Sequence, residues 1–363
     1  VAHVLLNVLT QSILYTIQNI GLPYSKLMEI SKISIIIPTY NSGSILKYCV
    51  DSIIKNTKKI KYEIIIVDDC SNDGSTNFLK DKIIYKNKVK LYNLKNNKGV
   101  GYCRDFGARK SKYKYIVYVD ADLIIKKNSI NYLINSYKKN QTNVGSVGAI
   151  PNFKNLNKKN FSSDFVFLRS VYGVFDLKKD SFSTNIQSEF CLIKKSFLLN
   201  IGSWKAYKKS GGEEFELGFR IENKRKKNIL SSKAKYDTYY SDIILRFKKM
   251  VRRTEIYLPI LINNKKFDSK GSSATSNFAL SALMTLLITI FIILNLLISF
   301  YALNTALIFL FFLHIIIELN FLYFVWKKKK FLLPYSFIGI NILNFAIIIG
   351  VLKFLIKIIK NLF

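Results

Sequence analysis

The sequence has few of the residues that mark disulfide-bonded, zinc-binding or nucleic-acid-binding modules. It contains four cysteines and two histidines in 363 residues. The cysteines, at positions 49, 70, 103 and 191, form no C-x-x-C pair, so we expect small buried side chains rather than zinc or redox sites. The chain also lacks zinc-finger spacing, an RNP-like aromatic motif and a basic region before heptads. We therefore expect no nucleic-acid partner.

Acidic residues are scarce as well. Lys and Arg number 56 against 23 Asp and Glu, a net charge of +33, and nearly all of the excess lies between residues 31 and 270. Such an excess is typical of proteins that meet a polyanion or an anionic membrane surface, where each Lys or Arg contributes about 1 kcal/mol. Part of it is compositional, because Lys, Ile, Asn, Tyr and Phe are enriched together. Anionic lipid head groups are the partner that we expect.

One long stretch has no charge at all. Asp, Glu, Lys and Arg are absent from Gly271 to Ile317, which excludes a purely soluble protein because about 20 apolar residues span a bilayer. We predict a transmembrane region over residues 273–363. The predicted spans lie near residues 278–301, 304–326 and 331–352.

Lysines flank the predicted spans. Lys265, Lys266 and Lys270 precede the first and Lys327–Lys330 follow the second, so both ends are predicted to be cytoplasmic. We expect a multi-pass protein of the cell membrane whose soluble part faces the cytoplasm, with two or three crossings. Glu318, inside the second span, is either a functional group or the partner of a neighbouring helix.

Two segments flank the soluble part of the chain. Residues 1–30 lack the basic start of a secretory signal, and we expect an upstream extension or an amphipathic surface helix without a catalytic role. Residues 243–262, within a segment over 243–272, combine apolar residues at helical spacing with a basic face. This pattern predicts an interfacial helix and linker, or alternatively a core helix. The basic residues are Arg246, Lys248, Lys249, Arg252 and Arg253.

Between residues 31 and 242, short β-branched runs alternate with stretches of helical spacing. The alternation predicts βαβ units and a Rossmann-like α/β domain with a mostly parallel sheet. Ligands of such sheets bind beyond the carboxyl ends of the strands. The predicted strands are Ile33–Ile37, Glu63–Val67, Val89–Tyr92 and Tyr115–Val119, and the predicted helices are Ile45–Ile54, Ser75–Lys82, Val100–Lys110 and Ile130–Tyr137.

Polar segments follow each predicted strand, among them a pair of aspartates. Asp120 and Asp122 flank Ala121, and in a strand both carboxylates then lie on one side. Two hard oxygen ligands in an open site suit Mg²⁺ or Mn²⁺ shared with a diphosphate. D-x-D alone is a weak signal, and the order of the segments strengthens it. They are P-T-Y-N (38–41), D-D-C-S-N-D-G-S (68–75), N-K-G (97–99) with R-D-F-G-A (104–108), and V-D-A-D (119–122).

Together with G-E-E-F-E-L-G-F-R at residues 212–220, these segments resemble glycosyltransferase family 2, whose members have a GT-A fold. The resemblance covers about residues 32–222. It implies a hexosyltransferase-type enzyme that takes a sugar from a nucleotide-sugar donor with the help of a divalent metal ion.

The resemblance also implies roles for particular residues. Glu214 takes the place of the catalytic base, which is usually Asp, and its neighbour Glu213 is the alternative. Asp122 and Asp120 would hold Mg²⁺ or Mn²⁺. The residues that the resemblance places on the nucleotide sugar are Pro38, Thr39, Tyr40, Asn41, Asp68, Asp69, Lys98, Arg104 and Asp120.

The expected chemistry is a single displacement that inverts the anomeric carbon. The leaving diphosphate gains negative charge, which a divalent cation neutralises. A hydroxyl acceptor needs a base, whereas polyprenyl phosphate is already an anion. The lipid-linked acceptor therefore stays open between polyprenyl phosphate and a lipid-linked saccharide. The chain lacks the Q-x-x-R-W motif of processive polysaccharide synthases, so such a synthase is an alternative, as are a nucleotidyltransferase and a non-catalytic basic binding module.

Overall fold

The first four β-branched runs form the parallel part of a nine-stranded sheet. These strands lie in the order β3-β2-β1-β4, and every neighbouring pair is parallel. All four predicted strands are confirmed. Their bounds are β1 (Lys32–Thr39), β2 (Lys61–Asp68), β3 (Val89–Asn93) and β4 (Tyr115–Val119).

The second part of the sheet is mixed. β8 is antiparallel to both β4 and β6, β6 is parallel to β9, and β5 and β7 are antiparallel to β9. The order continues β4-β8-β6-β9-β5. The predicted α/β class is confirmed, and the antiparallel pairs extend it. The strands are β5 (Leu123–Ile125), β6 (Val144–Asn155), β7 (Ser181–Ser183), β8 (Phe190–Lys194) and β9 (Lys227–Thr238).

The computed structural model describes residues 30–80, 85, 87–157, 160–207, 211–265, 276–298 and 301–361. The predicted N-terminal extension, apart from Ile30, lies outside these residues, as does most of the predicted linker before residue 276. The helices of the α/β part are α1 (Ile45–Asn56), α2 (Val100–Lys110), α3 (Ser129–Lys139), α4 (Phe161–Val171), α5 (Lys195–Asn200) and α6 (Glu213–Asn223).

One predicted helix, Ser75–Lys82, is wrong over its described residues, which form only a short 3-10 turn at Asn77–Lys80. Asp73 explains the difference, because its carboxylate accepts a hydrogen bond from the Ser75 backbone at 3.0 Å. Such a local side-chain bond competes with the first turn of a helix.

Both faces of the sheet are buried. Alternate residues of β1 point to opposite layers, as the period of two requires. Ile35 packs with Val50 of α1 and Leu133 of α3 in one layer, and Ile36 packs with Leu217 of α6 in the other. The carboxyl ends of the strands are thus held in fixed positions between two helical layers.

Long helices complete the chain. Two segments, Ser276–Ile298 and Ala302–Lys360, are long and apolar enough to cross a membrane. A 3-10 turn at Lys330–Leu332 divides the second of them. Leu296 and Leu297 are 80% and 76% exposed, and exposed apolar side chains on such helices are typical of lipid contact. The helices are α7 (Ile243–Asn264), α8 (Ser276–Ile298), α9 (Tyr301–Lys329) and α10 (Leu333–Lys360).

A buried ion pair joins the α/β part to α9. Arg169 of α4 donates two hydrogen bonds to Glu318, at 2.8 and 2.9 Å, and its guanidinium lies over the rings of Phe278 and Phe321. Nearby, Lys329 donates to Asp164 of α4 at 2.6 Å. Of the two interpretations of Glu318, the structure supports pairing, with a helix of the α/β part as partner.

Glu318→Gln is expected to destabilise the protein by about 3–5 kcal/mol, because it leaves the buried Arg169 guanidinium without a counter-charge. Unfolding of the full-length protein in detergent micelles measures the effect. Replacing Arg169 and Glu318 together with Leu removes both charges and should restore much of the loss. Equal stability of Glu318→Gln and the wild type would contradict the assigned pair.

Candidate active site

The carboxyl ends of β1, β2 and β4 lie side by side. Thr39 pairs with Asp68 in the parallel register, and the Asp69 amide donates to the Thr39 carbonyl at 2.9 Å. This register brings together the predicted nucleotide-binding residues of the first two strands. They are Pro38, Thr39, Tyr40, Asn41, Asp68 and Asp69.

The loops after β1 and β2 brace each other. The Asn41 amide donates to the Ser71 hydroxyl at 2.9 Å, and the Asn41 side chain accepts from the Asn72 amide at 3.0 Å. Asn41 has a left-handed φ of 48°, which Asn tolerates better than most residues. Ser71 in turn donates to the Asp68 carboxylate at 2.5 Å. The result is a polar shelf at the strand ends, with the Tyr40 ring exposed beside it.

Asp69 fixes the loop that leads into α2. Its two carboxylate oxygens accept from the Lys98 and Gly99 amides at 2.7 and 2.8 Å. Gly99 has a φ of 89°, and a Cβ there would lie 2.6 Å from the Tyr207 carbonyl oxygen, so glycine is required. The Lys98 side chain stays exposed. Asp69 therefore shapes the pocket through the backbone, and its predicted contact with the nucleotide stays a prediction.

Asp120 and Asp122 lie in the turn after β4, which ends at Val119 rather than including them. Ala121 between them is buried in the core, and both carboxylates line one cavity of about 800 Å³. Asp122 forms no ion pair within the described ranges. The predicted placement on one side holds although the segment is a turn.

The cavity collects only some of the predicted residues. Its walls include Arg104, Asp120, Asp122, Glu213 and Glu214, and they extend to Phe278 of α8 and Phe321 of α9. The shelf residues at the ends of β1 and β2, and Lys98, do not line it. The cavity thus joins the metal and base candidates to the apolar helices, beside the shelf.

Arg104 holds two of these carboxylates together. Its guanidinium donates to Asp120 at 2.8 Å and to Glu213 at 3.3 Å, and it lies over the Trp204 ring with 4.9 Å to the centroid. The side chain is only 2% exposed. The resemblance implies a nucleotide contact for Arg104, whereas the structure commits its guanidinium to carboxylates of the protein itself.

Glu213 and Glu214 begin α6 directly after a double glycine. Gly212 has a φ of 94°, and a Cβ there would lie 2.5 Å from a methyl group of Ile256 on α7. The Gly211 amide donates to Glu213 at 2.8 Å and the Gly212 amide to Glu214 at 3.1 Å. The close approach of α7 brings Arg253 into an ion pair with Glu214.

These contacts separate the two glutamates electrostatically. Burial raises the pKa of Glu213, and the charge of Glu214 adds to the rise. Burial opposes ionisation of Glu214 too, but Arg253 holds the pKa of Glu214 below its ordinary value. Glu214 is therefore the ionised member of the pair.

A third carboxylate, Glu189, faces the aspartates. It precedes β8, and its carbonyl accepts from the Asp120 amide at 2.8 Å, while the Tyr236 hydroxyl donates to its carboxylate at 2.6 Å. Sequence reasoning missed Glu189, because no motif marks residues 150–200. Antiparallel pairing of β8 with β4 brings it to the site.

Both aspartates ionise less readily than usual. Burial raises the pKa of Asp120 to about 7 against the lowering effect of Arg104. Although Asp122 is accessible from the cavity, the protein around it excludes bulk water and raises its pKa to about 6, and Glu189 adds to this. Negative charge concentrated in this way favours a bound cation.

The donor set suits Mg²⁺ or Mn²⁺. Asp122 is unpaired among the described residues, and Arg104 occupies only one oxygen of Asp120. In the described part of the chain, no three His, Cys, Asp or Glu side chains are close enough to hold an ion alone. Phosphate oxygens and water would complete the shell, as is usual for these hard cations.

Protons should compete with the metal ion for these carboxylates. Because the pKa values of Asp120 and Asp122 are raised to about 7 and about 6, both groups are ionised at pH 8 and increasingly protonated toward pH 6. The Kd for Mn²⁺ should therefore rise about tenfold or more over that range. Electron paramagnetic resonance of free Mn²⁺ measures it, and a Kd independent of pH would contradict the assigned ligands.

The basic face of α7 has an unexpected neighbour. The segment is helical as predicted, but four of its five basic residues line the cavity, whereas the sequence analysis expected them at anionic lipid. Only Lys248 of the five lies outside the lining. The four are Arg246, Lys249, Arg252 and Arg253.

Known proteins match this chain in sequence and in fold. Residues 34–202 match the family model for Glycosyl transferase family 2. A poly(ribitol-phosphate) beta-glucosyltransferase of Bacillus spizizenii is 38% identical over 115 residues, which are 31% of this chain and 18% of that protein. An uncharacterized protein of Methanocaldococcus jannaschii is 30% identical over 172 residues, 45% of this chain and 72% of the relative. The chain thus spans less than a fifth of the Bacillus protein.

A solved structure extends the likeness to the whole architecture. The mannosyltransferase of Pyrobaculum calidifontis in complex with GDP-Man and Mn²⁺ superposes with a TM-score of 0.54 at 14% identity. The match covers 89% of this chain and 86% of that one, and it confirms the predicted GT-A fold. With the ordered motifs at the strand ends, these matches show that the chain is a glycosyltransferase and belongs to glycosyltransferase family 2.

Proposed function

We propose that this chain is a membrane-bound, inverting glycosyltransferase that moves a sugar from a nucleotide-diphosphate sugar to a lipid-linked acceptor. One observation carries the proposal: a single cavity extends from Asp120 and Asp122 to the apolar helices α8 and α9. A water-soluble donor bound at the strand ends and an acceptor carried by the bilayer would meet there.

The donor side follows from the strand ends. Asp122 and Asp120 would hold Mg²⁺ or Mn²⁺, which when bound neutralises charge on the leaving diphosphate. Arg104 keeps Asp120 in position. The shelf of Thr39, Asn41 and Asp68 offers hydrogen-bonding groups for the base and ribose. Pro38, Tyr40, Asp69 and Lys98 border the shelf.

The acceptor side contains the glutamates. For a hydroxyl acceptor, Glu214 is the proposed base and Glu213 the alternative, and both line the cavity. Attack from the side opposite the diphosphate forms the new bond as the old one breaks, so the anomeric carbon inverts. Neither donor base nor sugar is assigned.

The long helices supply the proposed anchor. Three helices, α8 to α10, follow the catalytic domain, and Lys265 and Lys327–Lys330 flank the first two, which favours a cytoplasmic position for the domain. Lys248, exposed on α7, suits contact with anionic head groups. Placement of the remaining helix surfaces against lipid agrees with their exposed apolar side chains.

Membranes containing the full-length chain provide the test. They are incubated with Mn²⁺ and a panel of radiolabelled nucleotide sugars, and lipids are extracted into organic solvent. We expect label from one donor in the lipid fraction. Label in a long water-soluble polymer would instead indicate a processive synthase, and no turnover of any nucleotide sugar would refute the proposed function.

A further inference from the structure

The glutamates proposed as bases are both tied to arginines. Arg253 pairs with Glu214 and Arg104 with Glu213. A general base works best when its pKa lies near the operating pH, and a buried arginine partner stabilises the ionised form instead. The site is therefore poorly equipped to remove a proton from a hydroxyl group.

The same cavity holds cations without fixed partners. Arg246 and Lys249 form no ion pair in the described part of the chain, although both line the cavity. Burial and the charge of Arg253 lower the pKa of Arg246 to about 10. Buried cations are costly without a counter-charge, so an anion from outside the chain suits this position.

The orientation of these cations is fixed by packing. On its opposite face, α7 packs Met250 and Val251 against Ala346 of α10, and a Cβ at Gly350 would lie 2.7 Å from the Val251 carbonyl oxygen. Ile243, one turn before Arg246, packs among apolar residues that include Phe321 of α9. The basic row therefore begins beside α9.

The other end of the row reaches the catalytic carboxylates. Lys249 acts electrostatically on Asp122, and Arg253 pairs with Glu214. Arg246 and Lys249 are three residues apart and so share one helical face. An anion bound by them would lie between the apolar helices and the donor site.

We propose that the acceptor is a lipid monophosphate, such as a polyprenyl phosphate, and that Arg246, Lys249 and Arg252 bind its phosphate group. The proposal rests on the proposed function. A phosphate oxygen forms the bond to the anomeric carbon while the bond from that carbon to the donor's diphosphate breaks, and the electron pair leaves with the nucleoside diphosphate. A phosphomonoester dianion requires no base. Phe278 and Phe321 suit the adjoining hydrocarbon chain.

The first experiment needs no variant. Full-length protein in detergent micelles receives Mn²⁺, the donor identified from the panel, and one of three acceptors: polyprenyl monophosphate, polyprenol or a polyprenyl-diphosphate-linked disaccharide. We expect product on the monophosphate alone. Product on the disaccharide or polyprenol instead would overturn the acceptor assignment while the proposed function stands. Donor turnover on no lipid would refute the proposed function itself.

Variants of α7 test the binding residues. Arg246→Gln and Lys249→Gln should each raise the KM for polyprenyl phosphate about tenfold to hundredfold and change the KM for the nucleotide sugar by less than about threefold. Arg246→Lys should recover part of the loss. Lys248→Gln, on the same helix outside the cavity lining, should change neither KM. A rise confined to the nucleotide-sugar KM would assign these cations to the donor and overturn the proposal.

Discussion

Asp122→Asn should reduce nucleotide-sugar turnover about 10³-fold or more, since the loss of a metal ligand removes several kcal/mol of transition-state stabilisation. Asp122 has no ion-pair partner within the described ranges and lines the cavity, so its charge is available to a cation. Asn keeps the size of the side chain but not the charge. Release of nucleoside diphosphate at increasing Mn²⁺ concentration measures the effect.

Asp176→Asn is the matched control for this change. Asp176 is exposed and lies outside the cavity lining, so the same substitution there should leave turnover unchanged. If Asp122→Asn retained metal-dependent turnover within tenfold of the wild type, the metal site would have to lie elsewhere.

Arg104→Met should both destabilise the fold and weaken metal binding. Removing the guanidinium leaves Asp120 and Glu213 buried without their counter-charge, which costs about 3–5 kcal/mol. Arg104 also opposes the rise in the pKa of Asp120. Without Arg104 that pKa should rise further, so Asp120 would be protonated at pH 7 and bind metal only at higher pH. Chemical denaturation and Mn²⁺ binding at pH 7 and pH 8.5 measure the two effects.

Arg104→Lys separates charge from geometry. Lysine keeps a positive charge but cannot form the two-pronged contact with Asp120 and Glu213. We expect it to restore most of the Asp120 ionisation and only part of the stability. Wild-type stability and metal affinity in Arg104→Met would contradict the bridging role.

The parallel core of the fold could be predicted because its signals are local. β-branched runs set β1 to β4, and Val100–Lys110 is helical over the predicted bounds. The antiparallel pairs of β8 and β9 depend on partners distant in sequence, which periodicity does not encode. At Ser75, a side-chain hydrogen bond overrides the helical spacing.

The site divides along the same line. Asp120 and Asp122 could be found because they form a contiguous motif after a strand. The bridge from Arg104 to Glu213 joins residues far apart in sequence, so no spacing rule reveals it. Glu189 has no motif, and only the pairing of β8 with β4 brings it to the aspartates.

Helix α7 shows a different limit. Its amphipathic spacing predicted a helix, which is present, but a basic face has the same pattern whether it meets water, lipid or a cavity. The double glycine at Gly211 and Gly212, which allows α7 to approach α6 closely, could have pointed to the packed arrangement.

The most direct test of sugar transfer in this cavity counts both products of one reaction. Purified full-length protein is given labelled nucleotide sugar and polyprenyl phosphate, with Mn²⁺ or with EDTA, and released nucleoside diphosphate is compared with label in the extracted lipid. We predict equal amounts of the two with Mn²⁺ and neither with EDTA. Lipid product formed equally well in EDTA, or nucleoside diphosphate released with the sugar free in water, would contradict the account.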